Sequence, residues 1–281
     1  MSKIKITCDS TCDLTDALYE QYGVEVIPLG ITLGENTYHD GADVTTTDVF
    51  EYVARTGELP KTSAISVGEY VDVFEKYVRE GYEIVHINLS SELSSCYRNA
   101  CLAAEDFTGV YPIDSRNLSS GSGHLVLEAA RLANEGKSGA EIADILNEIK
   151  GKLDVSFVLQ TLEYLRKGGR CSSIAALGAN MLHLRPEIEV RDGKMQVARK
   201  YRGTIQKSVT DYIRGRLEGR EDIDTKRIFV THSHAPREVV DEAIALVQSL
   251  HPFTEVIETI AGCTITSHCG KECLGVLFFT K

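Results

Sequence analysis

Apolar and polar residues alternate along the first half of the chain in short runs typical of β-strands, and most of these runs precede a segment with helical spacing. Strands that alternate with helices favour an α/β fold with a mainly parallel sheet. In such a sheet, binding sites lie where the strands end. The strand candidates are KIKIT (3–7), VEVIPLGITL (24–33), EIVHINL (83–89) and GVYPID (109–114).

The helical segments carry recognisable start signals. In GEYVDVFEKYVREG (68–81) apolar residues repeat every three or four positions, which predicts a helix with one buried face. Ser138 and Glu141 have the spacing of a capping box, so we expect a helix to begin there. Thr47 or Asp48 is the expected N-cap of an earlier helix.

From about residue 153 the pattern changes to strands joined by short turns, with Asp192 and Gly193 forming a predicted hairpin turn. Helices are expected at 204–218 and 237–250. The pattern therefore predicts an N-terminal α/β domain over residues 1–152 and a C-terminal α/β domain with a more antiparallel sheet over residues 153–281.

Composition and charge exclude several classes of protein. The 281-residue chain has a formal net charge of −11, which disfavours nucleic acid and anionic membranes as partners. We find no secretory signal and no apolar run long enough to span a bilayer, so a cytoplasmic protein is expected. Eight cysteines without a C-x-x-C pair indicate reduced thiols rather than a disulfide scaffold or zinc site. No metal and no cofactor is expected.

The stretch SSELSS (90–95) places four serines between a strand and a helix. One serine, Ser91 or Ser94, would suffice as an N-cap. The surplus of hydroxyl groups at a helix start favours an anion such as a carboxylate or a phosphate. A serine nucleophile is less favoured, because no G-x-S-x-G turn is present and His86 has the position of a core histidine.

Other polar clusters have two interpretations each. SSGSG (119–123) lacks the third glycine of a dinucleotide motif, so it is either a glycine-rich entry to a helix or a backbone that approaches a ligand closely. THSH (231–234) is expected in a solvent-facing loop rather than at a metal. PKTSAIS (60–66) is expected to be a loop, and so is the region around His268. Arg170 follows two glycines, where its guanidinium could meet an anion or a partner protein.

Taken together, these clusters resemble the DegV family of bacterial proteins. The resemblance extends over nearly the whole chain, and the combination of motifs in this order is specific. Arg202-Gly203 and His268 with its neighbouring glycines also fit. The matching stretches are TCDSTCDL (7–14), YHDGADV (38–44), PKTSAIS (60–66), LSSELSSCY (89–97), IDSRNLSSGSG (113–123) and LEYLRKGGR (162–170).

The resemblance implies a two-domain fold, with a three-layer α/β/α domain of mainly parallel sheet and a second, more antiparallel domain. It also implies a long-chain fatty acid such as palmitate, stearate or oleate buried between them. By position in the motifs, the carboxylate ligands would be Thr62, Ser94 and His268. Candidates for the rest of the pocket are Ser63, Ser95, Ser119 and Gly121.

Members of the family act as the fatty-acid-binding subunit of a bacterial fatty acid kinase, and they present the carboxylate to a separate ATP-dependent kinase subunit that makes an acyl phosphate for phospholipid synthesis. The resemblance thus implies a lipid-binding protein without catalysis of its own, with Arg170 and Arg202 facing the kinase. Ser95 and Cys96 stand where the family usually has glycine and threonine, so Ser95 is expected to narrow the space beside the head group. Ile65 replaces the proline that the family usually has after the threonine and serine of the PKTS motif.

Two alternatives remain open from the sequence. A serine hydrolase acting on lipid esters would use Ser94 as nucleophile and His268 as base. An enzyme that binds a nucleotide or another small molecule would use the loop from Ser119 to Gly123.

Overall fold

The structure is a computed structural model that describes residues 3–170 and 184–281. The described strands are β1 (Lys3–Asp9), β2 (Glu25–Ile27), β3 (Gly30–Leu33), β4 (Asn36–His39), β5 (Lys61–Ser63), β6 (Tyr82–Asn88), β7 (Val110–Asp114), β8 (Leu153–Val158), β9 (Leu184–Arg191), β10 (Lys194–Arg202), β11 (Ile223–Ser233), β12 (Glu255–Ile260) and β13 (Cys273–Thr280). The helices are α1 (Asp16–Tyr22), α2 (Thr46–Thr56), α3 (Val67–Arg79), α4 (Cys96–Ala104), α5 (Ser119–Asn134), α6 (Gly139–Ile149), α7 (Glu163–Gly168), α8 (Ile205–Leu217), α9 (Arg237–Leu250) and α10 (Cys263–Cys269).

The N-terminal sheet is parallel and has the strand order β2-β1-β6-β7. Its strands are covered on both faces, as expected for a parallel sheet. On one face Ile84 of β6 packs in a cluster with Tyr70 and Phe74 of α3. On the other face Val85 packs in a cluster with Leu125 of α5. The expected three-layer α/β/α arrangement is confirmed.

The C-terminal sheet has six strands in the order β10-β9-β8-β13-β11-β12, and only the pair β11 and β12 is parallel. The expectation of a more antiparallel sheet is confirmed. Asp192 and Gly193 make the turn between β9 and β10 with φ angles of 49° and 80°, the combination that a two-residue type I′ hairpin requires. The division between residues 152 and 153 stays a prediction, although β8 begins at Leu153.

A third, small sheet of three strands has the order β4-β3-β5. Here the expectation of a loop for PKTSAIS was wrong, because Lys61–Ser63 forms β5 and pairs antiparallel with β3, with Thr62 opposite Ile31. Three residues are too few for alternation to be recognised. The expected single strand over residues 24–33 is likewise divided, since Pro28 and Leu29 separate β2 from β3.

Helix α5 lies between the two large sheets. Nearly all of its side chains are buried, and Leu125 shares a cluster with Phe229 and Leu277 of the C-terminal sheet. The expectation that SSGSG precedes the helix was wrong, because the helix already begins at Ser119. A helix packed on all sides needs small residues: a Cβ at Gly121 would lie 2.8 Å from Val155 Cγ2.

The helix starts were predicted with mixed success. The capping box of Ser138 and Glu141 is present. The N-cap of α2 is Thr45, which forms a capping box with Asp48, so the expectation of Thr47 or Asp48 as N-cap was wrong. The error has a simple cause: three consecutive threonines offer equivalent caps, and the box selects the one three residues before Asp48.

No helix in the described residues is long and apolar enough to cross a membrane.

Candidate functional site

An apolar cavity lies where the segment after β6, strand β5, helices α7 and α10 and the C-terminal sheet meet. The space between its lining atoms, counted together with the open solvent at its mouth, is about 830 Å³. Its apolar lining includes Leu29, Leu89, Leu118, Phe157, Leu165 and Met195. The lining comes from segments that follow strands of the N-terminal sheet and from strands of the C-terminal sheet, so the cavity depends on how the two halves pack.

Thr62 and His268 meet at this cavity. The Oγ1 atom of Thr62 lies 2.9 Å from Nε2 of His268, and both side chains are half-buried. Nδ1 of His268 is buried and has no hydrogen-bond partner in residues 3–170 and 184–281. We assign the ring proton to Nε2, because a buried N–H without a partner costs more than a bare nitrogen acceptor. His268 then donates to Thr62, and the Thr62 hydroxyl remains free to donate to a ligand.

Burial and, to a smaller extent, the positive charge of Arg170 together lower the pKa of His268 to about 4. The imidazole is therefore neutral at neutral pH. A neutral ring fits the donor chain from His268 through Thr62 to an anionic ligand, since it can donate without carrying a buried charge.

Gly168 of the LEYLRKGGR motif occupies a position where a larger residue would clash with His268. It ends α7, and a Cβ added there would overlap Nδ1 of His268 and lie 3.0 Å from Cε1. The ring of His268 is thus packed against the backbone of Gly168. This contact fixes the orientation of the imidazole, and sequence reasoning did not identify it, because the glycine and the histidine are far apart in the chain.

The expectation of a loop around His268 was wrong, because His268 lies in α10. The helix has only seven residues, too few for its periodicity to stand out between two strands. Its helical geometry places Thr264 and His268 one turn apart on the same face, and both line the cavity.

The four serines of SSELSS differ in their contacts and positions. The Ser90 hydroxyl donates to the carbonyl of Gly193 at 2.9 Å, and that of Ser91 donates to Asp114 at 2.6 Å. Ser95 occupies the N-cap of α4 but makes no capping bond. Only Ser94 lines the cavity. The expectation of Ser91 or Ser94 as the N-cap was therefore wrong, because the helix begins one residue later than Ser94 would require.

Ser94 lies close to the segment that carries Thr62. Its Oγ lies 3.2 Å from Sγ and 3.3 Å from the backbone N of Cys96, the first residue of α4. Asn99, also in α4, donates to the carbonyl of Ile65 at 2.7 Å. These contacts tie the start of α4 to the residues that follow β5. Burial raises the pKa of the Cys96 thiol to about 12, so that thiol is not a nucleophile.

A buried polar network holds the segment that leads into SSELSS. Asp9, at the end of β1, accepts hydrogen bonds from Tyr70 (2.7 Å), His86 (3.0 Å) and the backbone N–H of Leu89 (2.8 Å). His86 is fully buried and also contacts Thr7, as expected of a core histidine. This network explains the conformation of the segment after β6 without any ligand.

The remaining site residues lie in different places. Ser63, Ser119 and Arg170 line the cavity, and of these Ser63 and Arg170 are exposed. Ser95 and Gly121 are not in its lining. Because Ser95 is exposed at the N-cap of α4, it does not narrow the cavity as its replacement of glycine had suggested.

Arg202 is exposed at the end of β10. The cavity also contains two hydroxyls that sequence reasoning missed, Thr231 and Thr264. Nothing in their local pattern sets them apart from other buried threonines.

The expectation for THSH was wrong in part. Residues Thr231–Ser233 belong to β11, where His232 is buried and lies 3.1 Å from Glu258. His234 is exposed and contacts Thr46 at 2.6 Å. No group of three His, Cys, Asp or Glu side chains that could hold a metal occurs in the part of the chain that the structure describes.

Comparison with known proteins agrees with this architecture. Fold and cavity together define a two-domain α/β protein with an apolar cavity. The model of the DegV family, described as an uncharacterised protein family, matches residues 3–281. The chain belongs to the DegV family.

Similar proteins include both uncharacterised relatives and solved structures. A DegV domain-containing protein of Clostridium acetobutylicum is 33% identical over 287 residues, covering 100% of both chains. A fatty-acid-binding DegV family protein of Thermus thermophilus is 29% identical with a TM-score of 0.89, again over 100% of both chains. A stearic-acid-binding protein of Eubacterium ventriosum is 26% identical with a TM-score of 0.86, covering 100% of this chain and 99% of the other.

Proposed function

We propose that this protein binds a long-chain fatty acid, such as palmitate, stearate or oleate, in the cavity and presents its carboxylate to a separate ATP-dependent fatty acid kinase. The observation that carries the proposal is the Thr62–His268 pair at an otherwise apolar cavity. Solved DegV structures that bind fatty acids support the ligand class.

The two parts of the cavity would have separate roles. Apolar side chains would supply affinity, because each methylene removed from water contributes ~0.8 kcal/mol, or on the order of 10 kcal/mol gross for a long acyl chain. The hydroxyls of Thr62 and Ser94 would orient the carboxylate, since a carboxylate leaving water needs hydrogen-bond donors. The neutral ring of His268 would hold Thr62 in its donating role.

The exposure of Ser63 and Arg170 supports presentation to a partner, because it places the polar part of the lining beside solvent. A kinase docked there could supply ATP and Mg²⁺, while the bound carboxylate attacks the γ-phosphate. In this proposal Arg170 and Arg202 belong to the face that meets the kinase, the protein performs no chemistry alone, and both proteins act in the cytoplasm.

The geometry gives the serine hydrolase alternative little support. In residues 3–170 and 184–281, Ser94 Oγ hydrogen-bonds to Cys96 rather than to His268, and no carboxylate orients Nδ1 of His268. A triad needs both contacts. The geometry does not favour the nucleotide alternative either, because Gly121 and Gly123 pack against Val155 and Leu14 inside the fold.

Native mass spectrometry of the purified protein, followed by solvent extraction, tests the proposal. A copurifying fatty acid at about one per chain is the expected result, and its identity would give the preferred chain length. An empty protein that takes up no added palmitate would contradict the proposal. Labelling of Ser94 by a fluorophosphonate probe would favour the hydrolase instead.

A further inference from the structure

Helix α10 carries two of the polar residues that line the cavity, Thr264 and His268. With seven residues it is too short to be stable by itself, and its N-cap Gly262 has no side chain to cap it. Something else must satisfy the N–H groups at its start, because free backbone donors inside a fold are costly.

Two aspartates from distant parts of the sequence supply these caps. Asp13 accepts a hydrogen bond from Gly262 N at 2.9 Å, and the residues are 249 positions apart. Asp40 accepts from Cys263 N at 2.8 Å through Oδ1 and from Thr264 N at 3.0 Å through Oδ2. Both carboxyl groups are almost fully buried, with 5% and 4% of each residue exposed.

The same aspartates also contact the cavity wall. Asp13 accepts a hydrogen bond from Ser119, which lines the cavity. Ser10 donates to Asp40 at 3.1 Å and accepts from the N–H of Leu29 at 3.1 Å, and Leu29 lines the cavity as well. Asp13 and Asp40 therefore join the start of α10 to two parts of the wall from the first half of the chain.

The backbone at this junction is tightly specified. Asp13 and Ser119 both have positive φ angles, 48° and 53°, which non-glycine residues rarely adopt. A Cβ at Gly262 would lie 3.1 Å from Asp13 Oδ1 and 3.3 Å from Asp40 Oδ1. The close approach of two carboxylates thus requires glycine at the N-cap.

We propose that Asp13 and Asp40 are positioning residues for the fatty-acid head group, which hold the start of α10 and so place His268 against Thr62. The proposal rests on the proposed function for the nature of the ligand. It assigns a role to Asp13 of the motif TCDSTCDL and to Asp40 of the motif YHDGADV, which contact lining residues but do not themselves line the cavity.

The physical reason is the geometry of a short helix. Carboxylates at a helix N-terminus are favoured by its dipole and by charge-assisted hydrogen bonds. Asn in place of Asp40 could accept at one oxygen only, and its NH₂ group would face the other N–H. The start of α10 would then shift, and His268, one turn after Thr264, would shift with it. The part of the cavity that would hold the acyl chain is lined by other elements as well, so its shape would change less.

Asp40→Asn tests this inference through the selectivity of delipidated protein for palmitate over hexadecanol, which has the same chain without the carboxylate. We expect the palmitate affinity to fall about tenfold, or more, while the hexadecanol affinity stays within about twofold. Asp43→Asn is the matched control, because Asp43 is exposed on the same loop and contacts His39. Wild-type selectivity in Asp40→Asn would overturn the inference.

A second measurement does not depend on lipid. The imidazole ¹⁵N resonances of His268, assigned with His268→Gln, should shift in lipid-free Asp40→Asn and not in Asp43→Asn. If the wild-type protein binds no palmitate, the proposed function fails, and the role of the aspartates is decided by this shift alone. Unchanged His268 resonances would overturn the inference in either case.

Gly262→Ala is the variant to measure if Asp40→Asn does not fold. Its methyl group would press on both carboxyl groups without replacing either of them, so the same loss of selectivity and the same shift of the His268 resonances are expected. A folded Gly262→Ala protein with wild-type selectivity and resonances would contradict the inference.

Discussion

Thr62 Oγ1 and His268 Nε2 lie 2.9 Å apart although the two residues are separated by 206 positions. The hydrogen bond connects the small sheet near the N-terminus to the last helix of the chain, and it forms the polar part of an apolar cavity. Five predictions follow from this pair and its surroundings.

Replacing Thr62 and Ser94 by alanine should weaken palmitate binding by about two orders of magnitude or more. Each hydrogen bond to a charged group contributes about 1.5–3 kcal/mol, and this variant removes two donors from the carboxylate. Isothermal titration of delipidated protein measures the change. Ser95→Ala is the control, since Ser95 is exposed and caps nothing. An unchanged affinity in the double variant would refute the head-group assignment.

Gly168→Ala should lower palmitate affinity without a large loss of stability. The added methyl group would displace the ring of His268 and with it the contact to Thr62. Gly151→Ala is a suitable control, because a Cβ there meets nothing within 4 Å. Titration with palmitate and thermal melting of both variants distinguish displacement of the ring from general damage. Equal affinities in the two variants would count against the packing role of Gly168.

The pKa of the His268 imidazole should lie well below the ordinary histidine value of about 6.5 in lipid-free protein. Burial and, to a smaller extent, the positive charge of Arg170 lower its pKa to about 4, so Arg170→Gln should raise the pKa. An NMR titration of ¹⁵N-histidine-labelled protein measures both values. A histidine that titrates normally would change the palmitate affinity near pH 6.5, and this change would be absent from His268→Gln. We therefore expect the wild type and His268→Gln to show the same pH dependence near pH 6.5. A His268 pKa near 6.5 would contradict the neutral donor chain.

Asp13 should make the protein less stable as pH rises from 5 to 7. Burial, with a smaller contribution from the charge of Asp40, raises its pKa to about 7 against the hydrogen bonds from Ser119 and Gly262, which lower it. In this window the unfolded chain has lost the proton and the folded protein retains it, so the free energy of unfolding falls by up to about 1.4 kcal/mol per pH unit. The other titratable groups that face Asp13 are Cys12, Tyr19 and Cys263.

Urea unfolding of the wild type and of Asp13→Asn between pH 5 and pH 7 isolates this contribution. Asp13→Asn should show the smaller loss, because asparagine does not titrate. Asp43→Asn should keep the wild-type slope, since the exposed Asp43 has a lowered pKa and is charged throughout this window. Parallel slopes for all three proteins would mean that Asp13 is ionised when folded.

Acyl phosphate should form only when a fatty acid kinase and ATP are added. Arg202→Glu should reduce its formation at least tenfold without changing palmitate affinity, because the substitution reverses a charge on the face proposed to meet the kinase. Arg214→Glu is a control of equal charge change, on α8, where Arg214 pairs with Glu218. Turnover by the protein alone, or equal effects of the two substitutions, would contradict the presenting role.

Local sequence patterns determined most of the elements. Strand alternation, the capping box at Ser138 and the hairpin turn at Asp192 depend on neighbours within a few residues, and each is confirmed. Motif resemblance identified the family, and it named Thr62, Ser94 and His268 without any knowledge of their positions in space. These signals are readable because backbone geometry repeats every 2 or 3.6 residues.

Tertiary structure decided what those patterns could not contain. It converted the PKTS segment into a strand by pairing Thr62 with Ile31, and it packed Gly168 against His268. It also used Asp13 and Asp40 to cap a helix more than 200 positions away. Such contacts follow from the packing of both sheets around α5, and no periodicity along the chain encodes the partner of a residue on another element.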